Sequence, residues 1–208
     1  MKGSLKVVAF FIAGCLLSWF LGTREIKLDI DISRYVLYLL MLQVGLSIGS
    51  DKNIAQTLKA IRPKLLLVPL ATIVGTLSFS AIAAFFISKW SIFDCLAIGS
   101  GFAYYSLSSI LITELKTASL GLQLATELGT IALIANIIRE IMTLLGAPVF
   151  AKFFGRLAPI CAGGATTIDT TLPVIIKYSG KDIVFIAILH GIIVDLSVPF
   201  LVSFFCSL

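Results

Sequence analysis

Long apolar runs separated by short polar interruptions set the pattern of this chain. About 20 apolar residues cross the hydrocarbon of a bilayer as a helix. Stretches meeting that requirement fall at about 5 to 21, 34 to 50, 65 to 88, 92 to 113, 125 to 149, 158 to 176 and 182 to 207. The pattern predicts an all-α multi-pass membrane protein with about seven transmembrane segments, forming a single transmembrane domain over residues 1–208. An odd number of spans puts the termini on opposite sides.

Lys2 and Lys6 precede the run Val7 to Leu21, and Ile12-Ala13-Gly14-Cys15 has the form of a lipoprotein cleavage box. The apolar run continues past that cysteine through Leu16, Leu17, Trp19, Phe20 and Leu21, where a cleaved signal gives way to polar sequence. The expectation is therefore a first transmembrane helix. A charged loop follows from Thr23 to Ser33, and a basic one from Asp51 to Lys64 carries Lys52, Lys59, Arg62 and Lys64. With that second loop inside, the positive-inside rule favours N-in and C-out by a modest excess of basic residues.

Two predicted spans are unlike plain helices. The segment Ile98-Gly99-Ser100-Gly101-Phe102-Ala103-Tyr104-Tyr105-Ser106-Leu107-Ser108-Ser109 and the segment Cys161 to Pro173 each place a glycine pair before a hydroxyl-rich stretch. Such glycines either break a helix or let two helices pack closely, and composition alone does not choose. A break would expose backbone amides to a carboxylate and carbonyls to a cation, as transporter half-helices do.

Polar residues inside these runs carry the candidate chemistry. Arg139 and Glu140 lie within the apolar stretch Ile131 to Val149. An ionisable group at membrane depth marks an ion or substrate route by default. On one helix Asn136 and Glu140 are four residues apart and share a face, with Arg139 three residues from Asn136. Glu140 then faces a cavity while Arg139 holds carboxylates or carbonyls, or the two form a structural ion pair. Glu127 falls near the start of that helix, at the interface or the positive end of its dipole.

Asp169 is flanked by Thr166, Thr167, Thr170 and Thr171, with Pro173 four residues on. Hydroxyls beside an acid at a bent helix suit an ammonium group or a small cation. The plainer alternative is a helix N-cap. In the last span His190 and Asp195 are five residues apart and lie on different faces. His190 is a proton relay or a satisfied structural residue, and Asp195 pairs with Arg139 or with His190 of another copy. Tyr104 and Tyr105, followed by Ser106, Ser108 and Ser109, offer aromatic faces and hydroxyls to an amine, or belong to an interfacial belt.

Composition agrees with a bilayer. The chain has 208 residues, 59% hydrophobic and only 13% charged, against about 25% charged in soluble domains. Its net charge of +5 comes without a basic run and fits loops facing anionic lipid rather than nucleic acid. Cys15, Cys95, Cys161 and Cys206 have no metal-ligand or redox spacing and are read as small apolar residues. No metal or cofactor is expected. No metalloprotease, nucleophile-elbow or phosphate-loop motif is present, and Ser106 lacks a base at helical spacing, so the chain is not expected to be an enzyme.

The run Gly101-Phe102-Ala103-Tyr104-Tyr105-Ser106-Leu107-Ser108, the element Asn136-x-x-Arg139-Glu140, and the segment Gly164-Ala165-Thr166-Thr167-Ile168-Asp169-Thr170-Thr171-Leu172-Pro173-Val174 resemble, in order and spacing, the LysO-type bacterial L-lysine exporters. Weaker likeness covers Leu5 to Gly14, Gln43 to Ser47 and His190-Gly191. The resemblance implies export of L-lysine and toxic lysine analogues across the bacterial cell inner membrane by proton antiport. It places the family's membrane-embedded acidic pair on Glu140 and Asp169, with Thr166, Thr167 and Thr170 lining the site and Arg139 holding the carboxylates or receiving the substrate's own carboxylate. Family members carry about three further helices ahead of this region, which implies a separately encoded N-terminal half or a second copy of the chain as partner, or a longer protein of which this sequence is a part. The tract Phe102-Ala103-Tyr104-Tyr105-Ser106 departs from the family's Phe-Gly-Trp-Tyr-Ser form, which bears on substrate preference. A sodium/proton-type cation exchanger, and a non-transporting scaffold subunit whose charges lock helices together, are the competing readings.

Overall fold

In the computed structural model the described residues are 63–208, with Ala13, Leu16, Leu17, Phe20, Tyr35, Leu39 and Leu42 as isolated positions ahead of them. The expected spans at 5 to 21 and 34 to 50, the two charged loops between them and residue 63, and Cys15 lie outside the described residues. Within them the chain is all helical, with no strand.

The helices are α1 (Pro63–Ala84), α2 (Ile92–Gly99), α3 (Tyr105–Leu120), α4 (Leu122–Phe154), α5 (Ala158–Gly163), α6 (Leu172–Ser179) and α7 (Val184–Cys206). Among the described residues, Leu65–Ala84, Leu122–Phe154 and Lys181–Cys206 are long and apolar enough to cross a membrane. At 1.5 Å per residue α4 extends about 50 Å, well beyond a hydrocarbon thickness of about 30 Å.

Boundaries depart from the hydropathy pattern where caps override it. Helix α1 stops at Ala84, short of 88, because Phe85, Phe86 and Ile87 turn back onto the carbonyls of Ile82, Ala83 and Ala84. Ser91 caps α2 and receives the Asp94 amide while the Asp94 carboxylate accepts from the Ser91 amide, a reciprocal box that fixes the helix start. Helices α3 and α4 are separated by Gly121 alone, at φ +78°. The left-handed backbone reverses the chain there, and glycine adopts it without a Cβ penalty.

The α3–α4 hairpin runs antiparallel. A Cβ on Gly129 would come within 2.0 Å of Thr113 Oγ1 and 2.7 Å of Ser109 O, so glycine permits the close approach of the two backbones. Around this hairpin Ala97, Phe102, Leu107, Ile112, Leu128, Ala132, Ala165, Val194, Val198 and Val202 form the main core. Ile160, Ile175, Ile183 and Ala187 form a second one beneath α5 and α6. Polar ties close the ends: Lys116 Nζ sits 2.9 Å from Asp94 Oδ1 in a buried pair, and Lys89 pairs with Glu127, Arg156 with Asp182, at exposed positions.

Candidate functional site

Two non-helical stretches meet inside this bundle. The first, Ser100 to Tyr104, separates α2 from α3; the second is the 3₁₀ turn Gly164–Ile168 with the residues up to Thr171, between α5 and α6. Ala165 N donates to Phe102 O at 2.9 Å, a direct backbone contact between the two. Gly164 makes it possible: at φ +59°, a Cβ there would lie 2.2 Å from Phe102 O.

The first stretch carries strain, with Phe102 at φ 43° and Ala103 at φ 73°. Left-handed backbone at a residue with a side chain costs of order 1–3 kcal/mol and persists only when its surroundings impose it. Asn136 on α4 supplies that restraint. Its Oδ1 accepts from Ala103 N at 2.7 Å, while its Nδ2 donates to Ala132 O at 2.9 Å and Ile98 O at 3.3 Å. Buried at 4% exposure, this carboxamide replaces the helix hydrogen bonds that the interruption removes.

Arg139, one turn on, performs a related task at the second stretch. Its Nε donates to Ala162 O and its Nη2 to Cys161 O, both at 3.0 Å, and its Nη1 to Thr76 Oγ1 at 3.3 Å. The guanidinium thus occupies the C-terminal carbonyls of α5, where partial negative charge gathers, and lies over the Phe102 ring at 5.6 Å. No described carboxylate pairs with it, so the arrangement is neither a pair with Asp195 nor a pair with Glu140.

Glu140 is 1% exposed, on the face of α4 turned toward α3. Its carboxylate and that of Asp169 both lie within electrostatic range of the Tyr105 hydroxyl. Tyr104 lies within range of Asp169 and Asp195, and Asp195 within range of Asp169. The three acids, from α4, the second stretch and α7, are thus linked electrostatically to the two tyrosines at the start of α3. Ser106 is half-buried beside them on the same turn.

Asp169 is exposed, and its Oδ1 accepts from both the amide and the hydroxyl of Thr170. It is not the N-cap of α6, which begins after Thr171. Thr166 Oγ1 donates to Gly163 O at 2.8 Å and lies 3.2 Å from Thr171 Oγ1. Thr167 Oγ1 is 2.9 Å from the carbonyls of both Gly164 and Ala187 and 3.3 Å from His190 Nδ1. These hydroxyls hold the second stretch together, and only Thr170 turns its hydroxyl to the acid.

His190 is fully buried, bridging α1 and the second stretch: its Nε2 lies 2.9 Å from Thr72 Oγ1. Five residues apart, His190 and Asp195 do point different ways, the histidine to Thr72 and Thr167, the acid toward Asp169. Among the described residues no group of His, Cys, Asp and Glu is arranged to hold a metal ion.

The sequence pattern hid one contribution. Thr72, Thr76 and Ser80 recur every fourth residue along α1 and form a hydroxyl stripe on one face, inside a span whose mean hydropathy marks it as plain. That spacing was readable, whereas the bonds to His190 and Arg139 were not. Asp94 and Lys116 were also unremarkable in sequence, 22 positions apart and joined only by the fold.

The Lysine exporter LysO family model matches residues 8–206. The Escherichia coli protein named "Lysine exporter LysO" is 35% identical over 206 residues, which cover 98% of this chain and 64% of that one. A Haemophilus influenzae protein named "Putative lysine exporter" is 31% identical over 202 residues, 97% of both chains. The chain thus spans under two thirds of the Escherichia coli relative. No solved structure matches.

Proposed function

Because the chain belongs to the lysine exporter LysO family, we propose that it exports L-lysine, and toxic lysine analogues, across the bacterial cell inner membrane in exchange for protons. The chain has about seven spans, two of them interrupted near the midplane. Glu140 and Asp169 are the residues that take the ammonium group and the protons in turn.

The single observation supporting this reading is the burial of Glu140 at 1% exposure inside a spanning helix, with Asp169 sharing its Tyr105 neighbour. A carboxylate in that position is stable either as the neutral acid or beside a cation. Exchanging one state for the other lets a proton and an ammonium compete for the same oxygens, which couples the two fluxes. Thr170 orients Asp169, Thr166 and Thr167 hold the stretch that carries it, and Asp195 adds a third acid on α7. Tyr105 and Ser106 offer hydroxyls on the opposite wall, and His190 fixes the second stretch rather than meeting the substrate.

Lysine efflux from preloaded vesicles tests the proposal. Wild-type protein should release lysine in response to an imposed proton gradient, and Glu140→Gln and Asp169→Asn should each reduce release to the protein-free rate. Sodium-driven proton flux without lysine dependence would instead select the cation exchanger. Unchanged lysine release in both variants would overturn the site assignment.

A further inference from the structure

Arg139 borders a recess of a different character from the surroundings of the acids. Two adjoining cavities of about 280 and 560 Å³ lie along α1 and share Thr76, Ser80 and Ala83. Arg139 and Asn136 line the smaller, Cys161 and Ala162 the larger, and among the described residues no Asp or Glu lines either.

Three features make this recess unlike a packing defect. The Arg139 guanidinium has five N–H groups, of which three are used on Ala162 O, Cys161 O and Thr76 Oγ1. Its positive charge meets carbonyl dipoles, a hydroxyl and the Phe102 ring, with no described carboxylate within 4 Å. Next, the hydroxyls are uncommitted. Thr72, Thr113, Thr117, Thr126, Thr130 and Thr143 each donate to the carbonyl four residues back. Thr76 makes no such bond and only accepts from Arg139, and Ser80, packed against Gly99, makes no hydrogen bond among the described residues. Lastly, Arg139 and Glu140 are consecutive on α4, so their side chains leave the axis about 100° apart, and Arg139 lines the recess while Glu140 does not.

We propose that this recess is a carboxylate site, in which the free N–H groups of Arg139 and the hydroxyls of Thr76 and Ser80 receive the α-carboxylate of an amino acid. A planar guanidinium with N–H groups to spare is the side chain best matched to a carboxylate. The assignment rests on the amino-acid export reading above and adds to it that the site selects a zwitterion over a simple amine. The carbonyls of Cys161 and Ala162 hold the guanidinium in place before the ligand arrives, so little ordering is required on binding.

The test follows thermal unfolding of the full chain in lipid nanodiscs with L-lysine, norleucine, lysinamide, cadaverine or sodium acetate, since a ligand that binds the folded state raises the midpoint. Lysine and norleucine, which carry the carboxylate, are expected to raise it, and lysinamide and cadaverine to bind at least about tenfold more weakly. In the Thr76→Val/Ser80→Ala variant, which leaves the Arg139 bonds to α5 in place, norleucine affinity should fall about tenfold. In Glu140→Gln it should persist. The proposal is overturned if cadaverine matches lysine, if norleucine has no effect, if the double variant retains wild-type norleucine affinity, or if acetate alone matches norleucine. Norleucine binding in a protein that releases no lysine from vesicles would sink the export reading and leave the carboxylate site standing.

Discussion

The carboxamide of Asn136 accepts the backbone amide of Ala103 at 2.7 Å across 33 positions of sequence. That single bond ties the middle of the longest helix to the most strained backbone in the described region. It also explains why an asparagine shares a helical face with a buried glutamate: the amide fixes the stretch whose next turn carries Tyr105, and Tyr105 lies within electrostatic range of Glu140 and Asp169. Structure and site are thus built from one stripe of α4.

Asn136→Leu removes that acceptor and leaves the Ala103 amide buried without a partner, at a cost of about 1–3 kcal/mol. The expected outcome is a lower unfolding midpoint in detergent together with reduced lysine efflux. Asn136→Asp keeps the acceptor, but its unprotonated form cannot donate to Ala132 O or Ile98 O, so it should fall between the two. Full stability in Asn136→Leu would show that the strained turn holds itself.

Gly164→Ala should be among the most damaging small substitutions. The added Cβ would meet Phe102 O at 2.2 Å, backbone against side chain with no flexible atom to yield, at a positive φ of +59°. Gly155→Ala shares a positive φ, +90°, but meets open space. Comparing the two by thermal unfolding separates the contact from the conformational penalty, and Gly164→Ala is expected to lose several kcal/mol more or to fail to fold.

Lys116→Met strands the Asp94 carboxylate, whose partner lies 2.9 Å away in a nearly dry position. Removing one member of a buried pair costs about 3–5 kcal/mol. Adding Asp94→Asn, which keeps the carbonyl oxygen for the Ser91 box, should recover a good part of that loss. A double variant no better than the single one would show that the pair contributes little.

His190→Leu breaks the link between α1 and the second non-helical stretch. Its cost is expected to be modest, about 1–2 kcal/mol, since Thr72 still donates to Val68 O and Thr167 still has the Gly164 and Ala187 carbonyls. Lysine efflux should fall but persist, in contrast to Glu140→Gln. Complete loss of efflux with an unchanged unfolding midpoint would make His190 a participant in transport.

Hydrophobic run length determined the helical character, because a predominantly apolar run long enough to cross a bilayer must satisfy its backbone hydrogen bonds internally. The rarity of charge did the rest of the selection: Glu140, Asp169 and Asp195 stood out because each is costly in its segment. Helix ends were less legible, since α1 stops at Ala84 on turn bonds and α3 continues to Leu120 until Gly121, and both depend on backbone geometry rather than hydropathy.

What the sequence determined by itself, then, was the class of environment and the few polar side chains that it makes expensive, because both follow from local composition. The tertiary structure alone decided partners. It turned Arg139 away from the adjacent Glu140 to the carbonyls of Cys161 and Ala162, joined Asp94 to Lys116, and brought Phe102 against Ala165. Hydrogen bonds and charges act over a few ångströms in space, and separation along the chain carries no record of which groups the fold will bring that close.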